Sequence, residues 1–309
     1  MIVMWICQRA LRRAAVVLAL LLVAGCGANG ADADAGSDTG SEGAGGPLTV
    51  AAFYPLAFVA QRVGAGQVEV GQLTSPGVEP HDLELSPRQV AAVSEADVLL
   101  VQRGFQPAVD DVVAQGAQGS VIDVATVVDL APAANGEGTD PHFWLDPLRM
   151  ATLSGAVAEA YAGTDPKNAA KYRSAAAELT GQLERLDRQF SAGLADCQTR
   201  TVVTSHDAFG YLADRYDLAW LPIAGIDPSN EPSPQRLAEL ADLVDAEDVT
   251  TVFTETLVSP AVAETLAAET GLQVATLDPI EGLSDETSDE DYLTLMQDNL
   301  KALIEANRC

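Results

Sequence analysis

The sequence predicts an α/β protein of two (βα) lobes, each built on a parallel sheet, joined by one long helix. Three observations carry that expectation. Short β-branched runs alternate with helix-period segments from Pro47 to the C-terminus, the pattern of successive βαβ units. The alternation breaks once, across Asp129–Asp146, and resumes after Cys197. Between those points Leu179, Leu183, Leu186, Phe190 and Leu194 recur at steps of three and four. A helix from Pro166 to Leu194 would be on the order of 40 Å long at ~1.5 Å per residue, enough to run the length of a small two-lobed protein.

In order, residues 1–25 are a leader. Arg9, Arg12 and Arg13 precede the apolar run Ala14–Ala24, which is too short to span a bilayer comfortably. The leader ends in Val23-Ala24-Gly25-Cys26, which resembles the bacterial lipobox, in which the cysteine is lipidated and becomes the mature N-terminus. An ordinary cleaved signal or an uncleaved anchor is the competing reading. Residues 26–46 are rich in Gly, Ala, Ser and Asp, with no large apolar side chain in Ala28–Gly46, and read as a flexible tether. The first lobe, 47–163, takes strands at Leu48–Phe53, Val68–Leu73, Asp97–Gln102 and Val121–Val124. Its helices fall at Pro55–Val63, Pro87–Ser94, Phe105–Gln115 and Pro147–Ala162. The linking helix occupies 164–196, opened by Thr164-Asp165-Pro166, a capping residue followed by Pro at the first helical position. The second lobe, 197–309, takes strands at Thr201–Thr204, Ala219–Ile223, Val249–Thr254 and Gln273–Leu277. Helices are expected at Ala208–Tyr216, Pro234–Asp245, Pro260–Thr270 and Ser288–Asn307.

Composition excludes some function classes. The 309 residues are 48% hydrophobic, ample for folded cores, and carry a net charge of −28. Nothing here could neutralise a phosphate backbone, so nucleic acid is not a partner. An acidic surface can raise the local cation concentration, or serve solubility alone. Of four cysteines, Cys7 leaves with the leader and Cys26 takes the lipid. Cys197 and Cys309 remain, an even pair in an exported, oxidising setting and therefore a candidate disulfide. Two free thiols are the alternative, and no CxxC spacing supports a zinc role for either.

The chain has three histidines, His81, His142 and His206, all at element ends. His81 and His142 each follow a proline in a connecting segment, and His206 follows the strand Thr201–Thr204. Asp278 closes the strand Gln273–Leu277. In open α/β sheets ligands bind beyond the carboxyl ends of strands. Two donors from each lobe would therefore meet between the lobes, and three imidazoles with one carboxylate suit a zinc-type site. Glu255, after the strand Val249–Thr254, is placed to accept a proton from a ligating imidazole and fix its tautomer, with a purely structural hydrogen bond as the alternative. Asp207 is expected to cap the helix after His206, with orienting an imidazole as the alternative, and Phe143 and Trp144 to wall off water or serve as ordinary core. The acidic run Ser284–Asp291 reads as a solvated capping loop before the last helix, or as a docking surface for a partner.

The segments Gly77-Val78-Glu79-Pro80-His81-Asp82, Asp140-Pro141-His142-Phe143-Trp144-Leu145-Asp146-Pro147, Ser205-His206-Asp207-Ala208-Phe209-Gly210-Tyr211, Glu231-Pro232-Ser233 and Leu277-Asp278-Pro279-Ile280-Glu281-Gly282-Leu283 together resemble the cluster A-I, or ZnuA/TroA-like, metal-binding lipoproteins of bacterial ABC importers. The resemblance runs from about Pro47 to the C-terminus. It implies a rigid helical backbone between the lobes and a metal buried at their interface, ligated by His81, His142, His206 and Asp278. In manganese relatives the third position is typically Glu, so His206 favours Zn2+ over Mn2+. Many zinc members carry a long His-rich loop between the first two ligands; here Ala131–Asp140 is short and has no histidine, which puts loop-assisted acquisition in doubt.

The expected function is therefore high-affinity capture of Zn2+ by a monomeric lipoprotein. It would be held on the outer face of the bacterial cell membrane and deliver its ion to an ABC permease and its ATPase, with a zinc chaperone as a further partner. A manganese-specific receptor, a metal-dependent hydrolase and a surface adhesin are the alternatives. No HExxH or GxSxG accompanies the histidines, and a fourth protein ligand would fill the position a catalytic water needs, so the chain is read as no enzyme.

Overall fold

The computed structural model describes residues 45–133 and 138–309. The expected leader, the lipidation site Cys26 and nearly all of the tether lie outside the described residues.

The apolar runs fall into two four-stranded sheets. β1 (Leu48–Ala51), β2 (Glu69–Gln72), β3 (Val98–Val101) and β4 (Ser120–Asp123) form the first, in the order β2-β1-β3-β4. β5 (Thr201–Thr204), β6 (Ala219–Pro222), β7 (Thr251–Thr254) and β8 (Gln273–Thr276) form the second, in the order β6-β5-β7-β8. Every strand pair is parallel. The central strands β3, β5 and β7 are buried along their whole length, as Val-rich runs covered on both faces should be. Edge strands β2 and β8 are partly exposed.

Helices α1 (Tyr54–Gly64), α2 (Pro87–Glu95), α3 (Pro107–Gly116) and α4 (Pro147–Thr164) belong to the first half. α6 (Gly210–Tyr216), α7 (Pro234–Ala246), α8 (Ala261–Thr270) and α9 (Tyr292–Ala306) belong to the second. Several begin with Pro inside the first turn behind an oxygen-bearing cap: Ser86 on α2, Asp146 on α4 and Ser233 on α7. The final helix begins four residues later than expected. Asp291 accepts from the amides of Leu293 and Thr294 in a capping box, so the acidic run before it remains loop.

The expected long helix is α5 (Ala169–Gly193), preceded by a separate 3-10 turn at Pro166–Asn168. Its 25 residues bury Tyr172, Ala176, Leu179, Leu183, Leu186 and Phe190 in one stripe. That stripe packs chiefly along α4 and also meets α1 of the first half and α9 of the second. The α5–α9 crossing is tight at Gly193, where a Cβ would stand 2.9 Å from Ile304 Cδ1 and make that side chain shift. The disulfide Cys197–Cys309 joins the chain just beyond α5 to the residue that ends it.

One hydrophobic core runs through both halves, from Val50 and Leu99 through Leu183 and Phe190 to Phe209, Tyr292 and Leu303. A smaller second core, around Val203, Ile223, Leu240, Val252 and Leu266, lies under α7 and α8. His206 lies just beyond the carboxyl end of β5, and His81 and His142 lie in the connections that follow β2 and β4.

Candidate metal centre

His81 lies in the connection after β2. His142 lies just before a 3-10 turn at Phe143–Leu145, and His206 two residues beyond β5. Together with Glu281, their ligating atoms all lie within 4.8 Å of one another. His142 and His206 are fully buried, Glu281 is 1% exposed, and 8% of the His81 side chain is exposed. Oε1 of Glu281 stands 3.5 Å from Nε2 of His81, 3.0 Å from Nε2 of His142 and 3.3 Å from Nε2 of His206. One carboxylate oxygen thus sits at the focus of three imidazole nitrogens.

The expected fourth donor is corrected here. Asp278 is buried, but it is not part of the cluster: Oδ1 accepts the amide of Ile280 at 2.7 Å and Oδ2 the hydroxyl of Thr256 at 3.1 Å. The chain kinks between Asp278 and Glu281, so a residue three positions further on reaches the site. Sequence reasoning chose the acid at the strand end and passed over Glu281, although it lies in the same quoted motif. Its place in a Pro-Ile-Glu-Gly-Leu segment with no helical or strand period marks it as a loop acid but does not rank it above Asp278.

Two imidazoles are oriented from behind. Asp140 Oδ1 accepts the backbone N–H of His142 at 3.0 Å and meets its Nδ1 at 2.7 Å. Glu255 does the same for His206, at 3.1 Å to the backbone N–H and 2.7 Å to Nδ1. A carboxylate on Nδ1 makes that nitrogen the proton carrier and leaves the Nε2 lone pair for a cation, the usual arrangement behind metal-ligating histidines. Glu255 thus stands where the sequence reading put it, and Asp140 is the partner that reading missed. The missed signal is the repeated acid–Pro–His pattern, Glu79-Pro80-His81 and Asp140-Pro141-His142. In each copy the acid accepts the amide of the histidine two residues on.

Two buried glutamines fix the same pair of turns. Gln102 donates to the carbonyl of Pro141 at 2.8 Å, and Gln106 to the carbonyl of Pro80 at 3.0 Å. Phe105, between them in sequence, sets its ring against that of His81, centroids 4.7 Å apart. Phe143 and Trp144 are completely buried, and the Trp144 ring lies 5.2 Å from that of His142. Asp207 does not cap α6; it accepts from Trp220 Nε1 at 3.0 Å, and α6 opens without a side-chain cap.

Electrostatically the cluster is a charge trap. Burial works to raise the pKa of Glu281, yet the three imidazoles around it, His142 by a hydrogen bond and His206 and His81 by close approach, hold it well below the usual carboxylate range. Burial likewise works to lower His206, but the charge and hydrogen bond of Glu255, then Glu281, push it well above its ordinary value. His142 is raised in the same way by Asp140 and Glu281. Neighbouring Glu79 is pushed up to about 9 by burial and by the charge of Glu281, so of these two carboxyls Glu281 carries the charge. Nε2 of His81, Nε2 of His206 and Oε2 of Glu281 are all buried without a protein hydrogen-bond partner. Buried polar atoms are rarely left so, and two unpartnered imidazole nitrogens facing the same carboxylate fit a cation.

Two parallel-sheet halves spanned by a long helix, with a buried His3Glu cluster between them, define a metal-binding receptor of the cluster A-I solute-binding class. The sequence matches the model of the ZnuA family, zinc-uptake complex component A periplasmic, over residues 49–306, and the chain belongs to that family of non-enzymatic metal-binding transport proteins. The high-affinity zinc uptake system protein ZnuA of Bacillus subtilis (strain 168) is 29% identical over 308 residues, spanning 93% of this chain and 94% of that one. The Zn(II)-bound ZnuA-like domain of Streptococcus pneumoniae AdcA is similar at a TM-score of 0.75 and 30% identity, covering 86% of this chain and 100% of that one. This chain spans 54% of the length of the whole AdcA lipoprotein. The laminin binding protein Lmb of Streptococcus agalactiae, described as bifunctional with adhesin and metal transporting activity, is similar at a TM-score of 0.78 and 29% identity, covering 84% of this chain and 99% of that one.

Proposed function

We infer that this chain is an extracytoplasmic zinc receptor, anchored by a lipid on Cys26, that binds one Zn2+ through His81, His142, His206 and Glu281 and hands it to a membrane ABC importer. The observation that carries the reading is the donor set: three imidazole nitrogens and one carboxylate oxygen, buried and mutually within 4.8 Å. Nitrogen-rich four-donor sites suit zinc, whereas manganese favours sites richer in carboxylate. The zinc-bound relative and the zinc-uptake family support the same choice.

The residues divide the work. Asp140 and Glu255 hold their imidazoles as Nδ1–H tautomers, and Glu281 supplies the negative charge that makes a buried dication tolerable. Phe105, Phe143 and Trp144 keep the surroundings dry. Two donors come from each half, so a small separation of the halves breaks up the ligand set. That is a route to release when a permease docks, possible without chemistry on the ion. Delivery by a chaperone and a monomeric state complete the proposal.

Metal analysis of protein purified without added metal, followed by zinc–manganese competition, tests the reading. About one zinc per chain and strong preference for zinc are expected; preferential retention of manganese would overturn it. The likeness to Lmb favours one second reading, surface adhesion. Laminin binding that survives His206→Ala, with zinc binding lost, would separate that activity from transport.

A further inference from the structure

The segment that delivers Glu281 is bent in a way its sequence resists. Ile280 has φ of 58°, the left-handed region, and its side chain is fully buried. A β-branched residue is a genuine outlier there and persists only when its surroundings over-determine it. Those surroundings are explicit. The Asp278 carboxylate accepts the Ile280 amide at 2.7 Å, closing a turn over Pro279. Asn299 on α9 clamps the Asp278 backbone, accepting its amide at 2.8 Å and donating to its carbonyl at 2.6 Å.

The remaining holds come from the other half of the molecule. Trp144 Nε1 donates to the carbonyl of Pro279 at 2.7 Å, and the amide of Gly77 donates to the carbonyl of Leu283 at 2.7 Å. Residues 279–283 follow the second sheet, yet the first half grips them on both sides of Glu281.

The geometry points to Asp278 as a positioning residue: its turn to Ile280, locked from the opposite half by Trp144, holds Glu281 at the metal, so the fourth donor is present only while the halves are closed. This inference rests on the metal-receptor reading and specifies which ligand leaves first. When the halves part, the Trp144 and Gly77 hydrogen bonds break and the strained Ile280 relaxes toward negative φ. Glu281 then swings away before the histidines, anchored within their own halves, need to move.

The test uses the mature full chain, with zinc affinity from chelator competition and amide hydrogen exchange across 278–283 in metal-free protein. Asp278→Ala should weaken zinc binding about 10–100-fold, the range typical of partners behind a ligand, and speed exchange at Ile280. Asp278→Asn keeps an oxygen that accepts the Ile280 amide and should stay within about threefold of the unaltered chain, as an outer partner retained should. Ile280→Gly added to Asp278→Ala should recover part of the lost affinity, because glycine adopts this φ without penalty. Trp144→Phe, which keeps the ring and loses the donor, should raise the zinc off-rate. Equal losses in Asp278→Asn and Asp278→Ala would make Asp278 a ligand and overturn the inference, as would Asp278→Ala binding and exchanging like the unaltered chain. Absence of zinc binding by the unaltered chain would instead overturn the receptor reading itself.

Discussion

The two halves share a strand order, yet they present their donors by different means. In the first half each histidine follows an acid and a proline, and the acid two residues back sets the backbone at the histidine. The geometry there is local, with Gln102 and Gln106 pinning the proline carbonyls. In the second half His206 is set by Glu255, 49 residues away, and Glu281 by a kink held by Asn299 and by the first half's Trp144. Local turns make two donors that can stand ready in an open molecule. Long-range contacts make two that depend on assembly of the whole, and one of these depends on closure.

That contrast can be broken at its strongest point first. His142→Ala and His206→Ala should each weaken zinc binding by more than ~100-fold, beyond the loss typical of an outer partner. Similar losses on both sides of the cleft, by chelator competition, would establish that neither half binds alone.

The next effect is pH. His142 and His206 are raised in the metal-free protein, and only neutral imidazole ligates, so protons compete with zinc from above the ordinary histidine value of about 6.5. Zinc affinity should therefore fall steeply as pH drops through that raised range. Metal-free stability should run the opposite way. The contribution of raised histidines is full below their unfolded pKa and is lost as pH rises through the folded one. That of depressed Glu281 is present above the unfolded carboxylate value and fades as pH falls through the folded one. Metal-free protein should thus gain most from the cluster between about pH 4.5 and 6.5, and thermal melts with and without zinc should diverge above that window.

Removing an orienting carboxylate comes next. Asp140→Ala and Glu255→Ala should each cost about 10–100-fold in zinc affinity. Glu255→Ala should also shift the His206 imidazole resonances in metal-free protein, because His206 loses the charge that raises it. The smallest effect is expected at the seam. Tyr211 on α6 accepts from Ala131 N at 2.7 Å and donates to the carbonyl of Asp140 at 2.8 Å, under the guanidinium of Arg149. Tyr211→Phe should lower metal-free stability by about 0.5–1.5 kcal/mol per hydrogen bond lost, read by denaturant unfolding.

Much of this molecule was legible beforehand. The alternation of Val-rich runs with helical periods located both sheets, and the leucine stripe located α5, because parallel strands buried on both faces and a helix packed on one face leave strong periodic marks. The three histidines were legible because so few are present and all sit at element ends. Asp140 was overlooked although its i, i+2 relation to His142 is written in the chain. Glu281 could not be ranked above Asp278 from the sequence, because the choice depends on a left-handed φ at Ile280 that a β-branched residue does not advertise.

The sequence by itself determined the two sheets, the helix between them, the cysteine pair and the imidazoles that converge, since each follows from local periodicity, residue chemistry or scarcity. The tertiary structure alone decided which acid completes the site. A carboxylate becomes a ligand or a brace according to what surrounds it. Here that is settled by Trp144, Asn299 and Glu255, brought in from distant parts of the chain.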